Sequence, residues 1–368
     1  MLRILLIDLE SQWRGGQEQA LLLMKGLRAL GHTPELLTQL GSALATRAGA
    51  EGLSVHTSSP SATRIAAALQ IRSLLRASSF DVAYANEPHA LTAAWLAGAH
   101  HRLPIVAARR VVFPLSRSRI ALARYRAASF VIAISQAVRS ELIAAKLDPA
   151  KIKIVPDGVE IPKLLTPEAR RNPRERWRFV PNDFVLAYVA SLTGEKGHTL
   201  LIQAFELVQK HIPNCRLLLA GDGPLRDELE RQARAANLST SITFAGFVED
   251  VDAVYAAADL FVFPSSNEGL GTSLLRAMAF GLPVVAFSQG GIGEVIENGC
   301  TGILVQKHDA ESLAAALTNL FSNAELAGEL GKAARVTASS RFCVDRMAED
   351  TLHLLKTSAA SHKRRSVS

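Results

Sequence analysis

Sulfur and aromatic rings are scarce in this chain, and several patterns that whole function classes require are missing. Three cysteines, Cys215, Cys300 and Cys343, are scattered through 368 residues. Their odd number and wide spacing argue against a disulfide framework and against a thiolate metal site, and fit a reducing compartment. No apolar run approaches the ~20 residues of a membrane-spanning helix. The opening "MLRILLIDLE" is too short, and too soon interrupted by Asp8, to read as a signal peptide. It reads as a first strand, and the expected location is the cytoplasm. No G-x-G-x-x-G follows that strand, which disfavours a dinucleotide-binding dehydrogenase. Acidic residues are not clustered as ligands, so neither a metal nor a resident cofactor is expected. Aromatic residues are 6% of the chain and do not interleave with basic ones, so nucleic acid is not the expected partner.

What is present is a large apolar share, 48%, with 20% charged residues. A chain this long exceeds one ordinary hydrophobic core, so two domains are expected. The net charge of +7 is uneven. Residues 1–160 hold 19 Lys and Arg against 11 Asp and Glu, a balance of +8; the remainder holds 22 against 23. Arg109, Arg110, Arg117, Arg119, Arg124 and Arg126 fall in one short stretch. That excess fits a solvated face. It also fits attraction to an anionic membrane surface or to a phosphorylated acceptor.

Apolar runs alternate with helical periodicity almost throughout. Strands are expected near 2–8, 34–39, 53–57, 81–85, 104–108, 129–134 and 151–155, and again at 184–190, 215–221, 241–246, 260–264, 283–287 and 302–305. Alternation of this kind gives an α/β fold, two doubly wound parallel sheets with crossover helices. Residues 155–183, with five prolines and a group of arginines, break the rhythm. The expected organisation is a first domain over 1–160, a linker over 161–183 and a second domain over 184–342. A helix near 343–357 returns to the first domain, and 358–368 is expected to be a disordered tail.

The stretch "SSNEGLGTSLLRAMAFGLPVVA" (265–286) carries the most chemistry. The strand "LFVFP" ends at Pro264, so residues 265–273 lie at the carboxyl edge of the sheet, where open α/β sheets bind ligands. The amides of Gly271, Thr272 and Ser273 open the next helix and suit an anion. Gly269 and Gly271 let backbone approach closely. Glu268 stands on the turn, where a carboxylate accepts from two hydroxyls of a diol or simply complements the helix dipole. "GDGP" (221–224) is a tight turn into a helix and no more.

"GGQEQ" after the first strand, "AISQAVRSEL", "KIVPDGVE", "EKGHTLLIQAF", "LLLAGDGPLRDEL", "ITFAGFVEDV", "ADLFVFPSSNEGLGTSLLRAMAFGLPVVA" and "GGIGEVI" follow one another in order. Together they resemble the retaining glycosyltransferases of family 4, whose GT-B architecture sets two Rossmann-like domains across a cleft. The resemblance implies a nucleotide-sugar donor and an acceptor hydroxyl on a lipopolysaccharide, exopolysaccharide or other glycolipid. It implies a metal-independent front-side reaction in which the leaving phosphate takes the acceptor proton. Contact between the basic first domain and the anionic face of a membrane would bring the chain to such an acceptor. The resemblance also assigns residues. Lys196 lies on the donor diphosphate and Glu268 on hydroxyls of the donor sugar, and these two carry the chemistry. Phe247 and Val248 line the base pocket, Glu294 lies near the donor, and Gly15 and Gly16 belong to a loop beside donor phosphate and acceptor. Gly15, Asn86, His89, Arg109 and Arg110 are acceptor-side candidates.

Three positions depart from the family pattern. Arg276 stands where a second glutamate would accept from the ribose, and an arginine can only donate. Ser191 stands where a phosphate-facing arginine is common. Tyr84 and Asn86 replace a His-x-His pair, with His89 and Glu87 nearby. One reading has Arg276 reaching the diphosphate and replacing the missing cation. Another is a catalytically impaired sugar- or lipid-binding partner that kept the fold. A same-fold epimerase is a third.

Overall fold

The computed structural model describes residues 1–58, 64–115 and 118–367; Arg117, one of the basic stretch, lies outside them. The chain forms two compact units, Met1–Gly158 together with Val344–Ser368, and Val159–Cys343. All thirteen expected strands form, and every pairing between them is parallel.

In the first unit the strands are β1 (Arg3–Ile7), β2 (Thr33–Gln39), β3 (Ser54–Ser58), β4 (Val82–Ala85), β5 (Ile105–Arg109), β6 (Phe130–Ala133) and β7 (Ile152–Ile154). Their order is β3-β2-β1-β4-β5-β6-β7. The run Ile4–Ile7 is fully buried, as expected of a central strand covered by helices on both faces. The second unit holds β8 (Phe184–Val189), β9 (Cys215–Ala220), β10 (Ile242–Gly246), β11 (Leu260–Phe263), β12 (Val284–Phe287) and β13 (Ile303–Val305), in the order β10-β9-β8-β11-β12-β13. Each sheet therefore grows outward from its first strand in both directions. The order reverses between β1 and β4 and between β8 and β11, and these are the switch points where such sheets bind ligands.

Two segments differ from expectation. The proline-rich stretch 161–183 contains a helix, Pro167–Arg176, begun by Pro167 at its first position and capped by the Thr166 hydroxyl. Its arginines fasten it to the second unit. Arg170 Nη2 and Arg174 Nη1 lie 2.7 and 3.0 Å from the Asp259 carboxylate, which also accepts from the Val185 amide at 2.8 Å. The stretch is thus a packed element of that unit.

The C-terminal helix runs over Val344–Val367, so the expected disordered tail is helical through Val367. Its apolar face supplies Met347, Ala348, Leu352, Leu354 and Leu355 to the core of the first unit. Ser358 and Ala359 are still buried, and Lys363 Nζ lies 3.2 Å from Asp81. Among the described residues, no helix is long and apolar enough to cross a membrane.

Leu355 is fully buried, whereas Val336 on a helix of the second unit is 68% exposed. Leu355→Ala is expected to destabilise the protein by about 2–5 kcal/mol through lost transfer energy and a residual cavity. Val336→Ala is expected to stay within about 0.5 kcal/mol. Differential scanning calorimetry of the two variants reads the contrast.

Candidate functional site

At the switch point of the second sheet, the loop after β8 lies beside the loop after β11. Lys196 Nζ donates to Glu268 Oε1 at 2.6 Å. The same oxygen accepts from Ser265 Oγ at 2.9 Å, and Ser265 Oγ also reaches the Glu195 carbonyl at 3.2 Å. The fully buried Tyr188 donates its hydroxyl to the Lys196 carbonyl at 2.9 Å, fixing the backbone under the lysine.

Two glycines make this approach feasible. Gly197 has φ +72°, and a Cβ there would stand 2.2 Å from the Pro264 carbonyl oxygen. Gly290 has φ +54°, and its Cβ would stand 2.3 Å from the Glu268 carbonyl oxygen. Any side chain at either position would push the Glu268 loop away from Lys196. Beyond Glu268, the helix Thr272–Ala279 starts at Gly271 without a side-chain cap, so its first amides and the positive end of its dipole stay available. Lys196 and Glu268 are each partly exposed, at 21% and 16% of the side chain. The result is an ammonium, a carboxylate and free amides at one sheet edge.

The other donor-side candidates distribute as follows. Ser191 is exposed on the β8 loop, its hydroxyl 3.4 Å from that of Thr193. Phe247 follows β10 and is 61% exposed, with Val248 half-buried beside it. The Ser273 carbonyl accepts from Tyr255 Oη at 3.1 Å. Glu294 lies on the short helix Ile292–Val295, its carbonyl accepting from Arg341 at 3.3 Å. Arg276 differs most from expectation. Its Nε donates to Asp252 Oδ1 at 2.6 Å, so the structure ties the guanidinium to a carboxylate on the neighbouring helix Asp252–Ala257.

At the switch point of the first sheet, the loop after β1 lies beside the loop after β4. Asp8 is fully buried and accepts from Asn86 Nδ2 at 2.7 Å and Gln17 Nε2 at 3.0 Å. Asn86 also donates to the Gly16 carbonyl at 2.9 Å, tying the Gly15–Gly16 helix start to β4. A Cβ at Gly16 would meet nothing, so the space over this turn is open. Arg110 donates to Asp157 at 2.9 Å and to the Asn86 side-chain oxygen at 2.8 Å. Arg109 is buried and donates to the Phe113 carbonyl.

Of the five acceptor-side candidates, Gly15 opens the helix Gly15–Ala29, and Asn86, Arg109 and Arg110 point inward and brace the loops. Only His89 is exposed. Burial is the reason: Asp8 and Asp157 sit beneath this edge and draw Asn86 and Arg110 to themselves, while Arg109 turns to the Phe113 carbonyl.

The residues that sequence reasoning missed are carboxylates. Asp8 ends an otherwise apolar strand, and that placement was the available signal. Asp157 and Asp252 had none beyond lying in the turns "VPDG" and "VEDVD". Glu87 caps the helix Pro88–Leu96 by accepting from the His89 and Ala90 amides. Ligand atoms of Glu10, Glu87 and His89 lie within 4.8 Å of one another, the kind of grouping that the sequence did not suggest. Glu87 is occupied with its cap, and His89 Nδ1 accepts from Arg64 Nε at 3.0 Å, so two of the three are already engaged.

Burial pushes the Glu87 carboxyl up to about 7, and the neighbouring Asp8 charge adds to the effect. A carboxyl whose folded value lies above its ordinary 4.5 holds its proton more tightly when folded. Stability from this group is greatest below the ordinary value and is lost as pH rises through about 7. Glu87→Gln keeps an acceptor oxygen for the cap but cannot ionise. It is expected to gain stability over the parent by roughly 1–3 kcal/mol between about pH 5 and about pH 8. Urea unfolding midpoints at the two pH values measure the difference.

Comparison with known proteins matches two family descriptions, Glycosyltransferase Family 4 over residues 13–162 and Glycosyl transferases group 1 over residues 169–337. EpsD of Bacillus subtilis, which carries a glycosyltransferase name, is 33% identical over 50% of this chain and 49% of its own length. The GDP-mannose-dependent alpha-(1-6)-phosphatidylinositol monomannoside mannosyltransferase of Mycolicibacterium smegmatis is 30% identical over 56% of this chain and 57% of its own. The matched part thus spans about half to three-fifths of these curated relatives. Among solved structures, Anabaena Alr3699/HepE in complex with UDP-glucose superposes with a TM-score of 0.86 at 24% identity, covering 97% of this chain and 100% of that one. With one description over each sheet and that architecture in common, the chain belongs to the family 4, group 1 glycosyltransferases and has the GT-B fold.

Proposed function

We propose that this protein transfers a glycosyl group from a nucleoside-diphosphate sugar to a hydroxyl of a lipid- or polysaccharide-linked acceptor, with retention at the anomeric carbon. The observation that carries the reading is the Lys196–Glu268 pair at 2.6 Å beside the uncapped helix start at Gly271. A diphosphate needs fixed positive charge, a sugar needs a hydroxyl acceptor, and this edge offers both. The names of the relatives guide the choice of donor: one is GDP-mannose-dependent, and the Anabaena complexes hold UDP and UDP-glucose.

In the proposed reaction the bond from the anomeric carbon to the diphosphate oxygen breaks. A bond from that carbon to the acceptor oxygen forms on the same face, and the acceptor proton passes to the departing phosphate. Negative charge grows on that phosphate as its bond stretches. Lys196 and the amides of Gly271, Thr272 and Ser273 stabilise it there, so their interaction is stronger in the transition state than in the ground state. Glu268 orients the sugar through its hydroxyls. The exposed Phe247 ring offers a face for the base. No cation is required in this scheme, because the ammonium and the helix dipole supply the charge. The scattered thiols fit a reducing compartment, and the reaction is assigned to the cytoplasm, beside the membrane that bears the acceptor.

Arg276 favours a second reading. Held by Asp252, it is not a free substitute for the missing phosphate-facing cation. If the pocket has lost turnover, the chain is a sugar-binding partner of the same fold. Release of free nucleoside diphosphate from UDP-glucose, GDP-mannose and related donors, with and without a lipid extract, decides between the two; release that persists in EDTA is expected. Lys196→Ala is expected to lower kcat by about 100-fold or more while the fold is retained. Arg276→Ala is expected to change the donor KM several-fold, by roughly 1 kcal/mol, through release of Asp252. No nucleotide release from any donor would leave only the binding reading.

A further inference from the structure

Two serines follow Pro264, and both reach across to the loop after β8. They do different things there. Ser266 is exposed, and its amide and hydroxyl donate to the Glu195 carbonyl at 2.9 and 3.1 Å. Ser265 is fully buried. Its hydroxyl lies 3.2 Å from the same carbonyl and 2.9 Å from Glu268 Oε1.

A serine hydroxyl has one proton to give, and three oxygens compete for it. The Glu195 carbonyl has two lone pairs, and Ser266 supplies a donor to each. The buried Tyr188 phenol also touches the Ser265 hydroxyl, but it is a neutral oxygen whose own proton goes to the Lys196 carbonyl at 2.9 Å. A carboxylate is the strongest acceptor of the three, so the Ser265 proton goes to Glu268 Oε1.

That oxygen then has two donors, the buried hydroxyl and the Lys196 ammonium at 2.6 Å. Among the described residues nothing donates to the other oxygen, Oε2, and the side chain is partly exposed. Glu268 is therefore gripped by one oxygen and offers the second. The two grips are unequal. An ammonium on a four-carbon stem can follow a carboxylate as it turns, whereas a hydroxyl on a buried one-carbon side chain cannot. Lys196 has three N–H groups and spends one on Glu268, so two remain for an anion.

We propose that Ser265 is a positioning residue for the transfer, fixing Glu268 so that Oε2 faces the donor sugar while the pair with Lys196 stays closed as the donor binds. This rests on the transferase reading above, which puts the sugar at Glu268 and the diphosphate at Lys196. Ser265 has no exposed surface and acts only through Glu268. Because the pair stays closed, loading the donor breaks no ion pair. The two halves of the donor also report on different groups: the nucleotide on Lys196 and the helix start, the sugar on the oxygen that Ser265 sets.

The test uses the full chain with Ser265→Ala, and with Ser266→Ala as the control. The control removes a hydroxyl from the same loop and the same carbonyl without reaching Glu268. UDP, UDP-glucose, GDP and GDP-mannose are titrated by calorimetry, and turnover is read as release of nucleoside diphosphate. Ser265→Ala is expected to lower kcat by about tenfold or more and to weaken the sugar nucleotide several-fold relative to the bare nucleotide, whose own affinity stays within about twofold. Ser266→Ala is expected to match the parent. In a Glu268→Ala background there is no carboxylate to hold, so Ser265→Ala is expected to add nothing.

Equal losses in Ser265→Ala and Ser266→Ala, equal weakening of bare and sugar nucleotides, or full additivity with Glu268→Ala overturns the proposal and leaves the transferase reading in place. Should Ser265→Ala not fold, Ser265→Cys is nearly the same size and a much weaker donor. It is expected to show the same pattern at smaller amplitude, and parent-like behaviour overturns the proposal. A parent that binds sugar nucleotides but turns none over sinks the transferase reading; loss of the sugar's contribution in Ser265→Ala would still support the grip on Glu268. A parent that binds no sugar nucleotide overturns both.

Discussion

A parallel sheet that grows in both directions from its first strand must send its crossover helices to opposite faces, and a gap opens where the direction changes. In both units of this protein, polar side chains from distant parts of the chain meet at that gap. β1 with β4 brings Asp8 against Asn86, and β8 with β11 brings Lys196 against Glu268. Neither pair is close in sequence. Each meets because the strand before it pairs in register with the strand before its partner, Ile7 with Ala85 in one sheet and Ala187 with Phe261 in the other.

The same topology has produced two different electrostatic solutions. In the first unit the gap is filled from within: Asp8, Gln17, Asn86, Arg110 and Asp157 satisfy one another below the surface, and the loops above are braced. In the second unit the gap is kept open by glycine. Gly197 and Gly290 pass so close to the carbonyls of Pro264 and Glu268 that no side chain fits, and the space that remains is bordered by an ammonium and a carboxylate. One edge is rigid through a buried polar network, the other through backbone packing. The second kind leaves its charged groups free to turn toward a ligand.

The strands were legible because buried parallel strands are near-continuous apolar runs, and thirteen such runs stand out against the helical periodicity between them. Lys196 and Glu268 were legible because glycine-rich turns surround them in a specific order. The helix Pro167–Arg176 was not, since prolines and arginines hide it; what holds it is Asp259, more than eighty residues away. The end of the last helix was hidden likewise. "SAASHKRRSVS" has little apolar content, yet small side chains let its backbone stay against the first unit. Asn86, Arg109 and Arg110 were read as surface groups from residue type and strand-end position. What Asn86 and Arg110 face depends on Asp8 and Asp157, which reach the same edge from elsewhere in the chain, and what Arg109 faces depends on the Phe113 carbonyl.

That dependence explains why counting arginines says little about function while matching them to acids says more. Arg170 and Arg174 share Asp259, Arg110 takes Asp157, and Arg276 takes Asp252. Each of these pairs closes locally. Removing the acid would strand a cation, and removing the arginine would strand an acid, so such pairs persist for structural reasons alone.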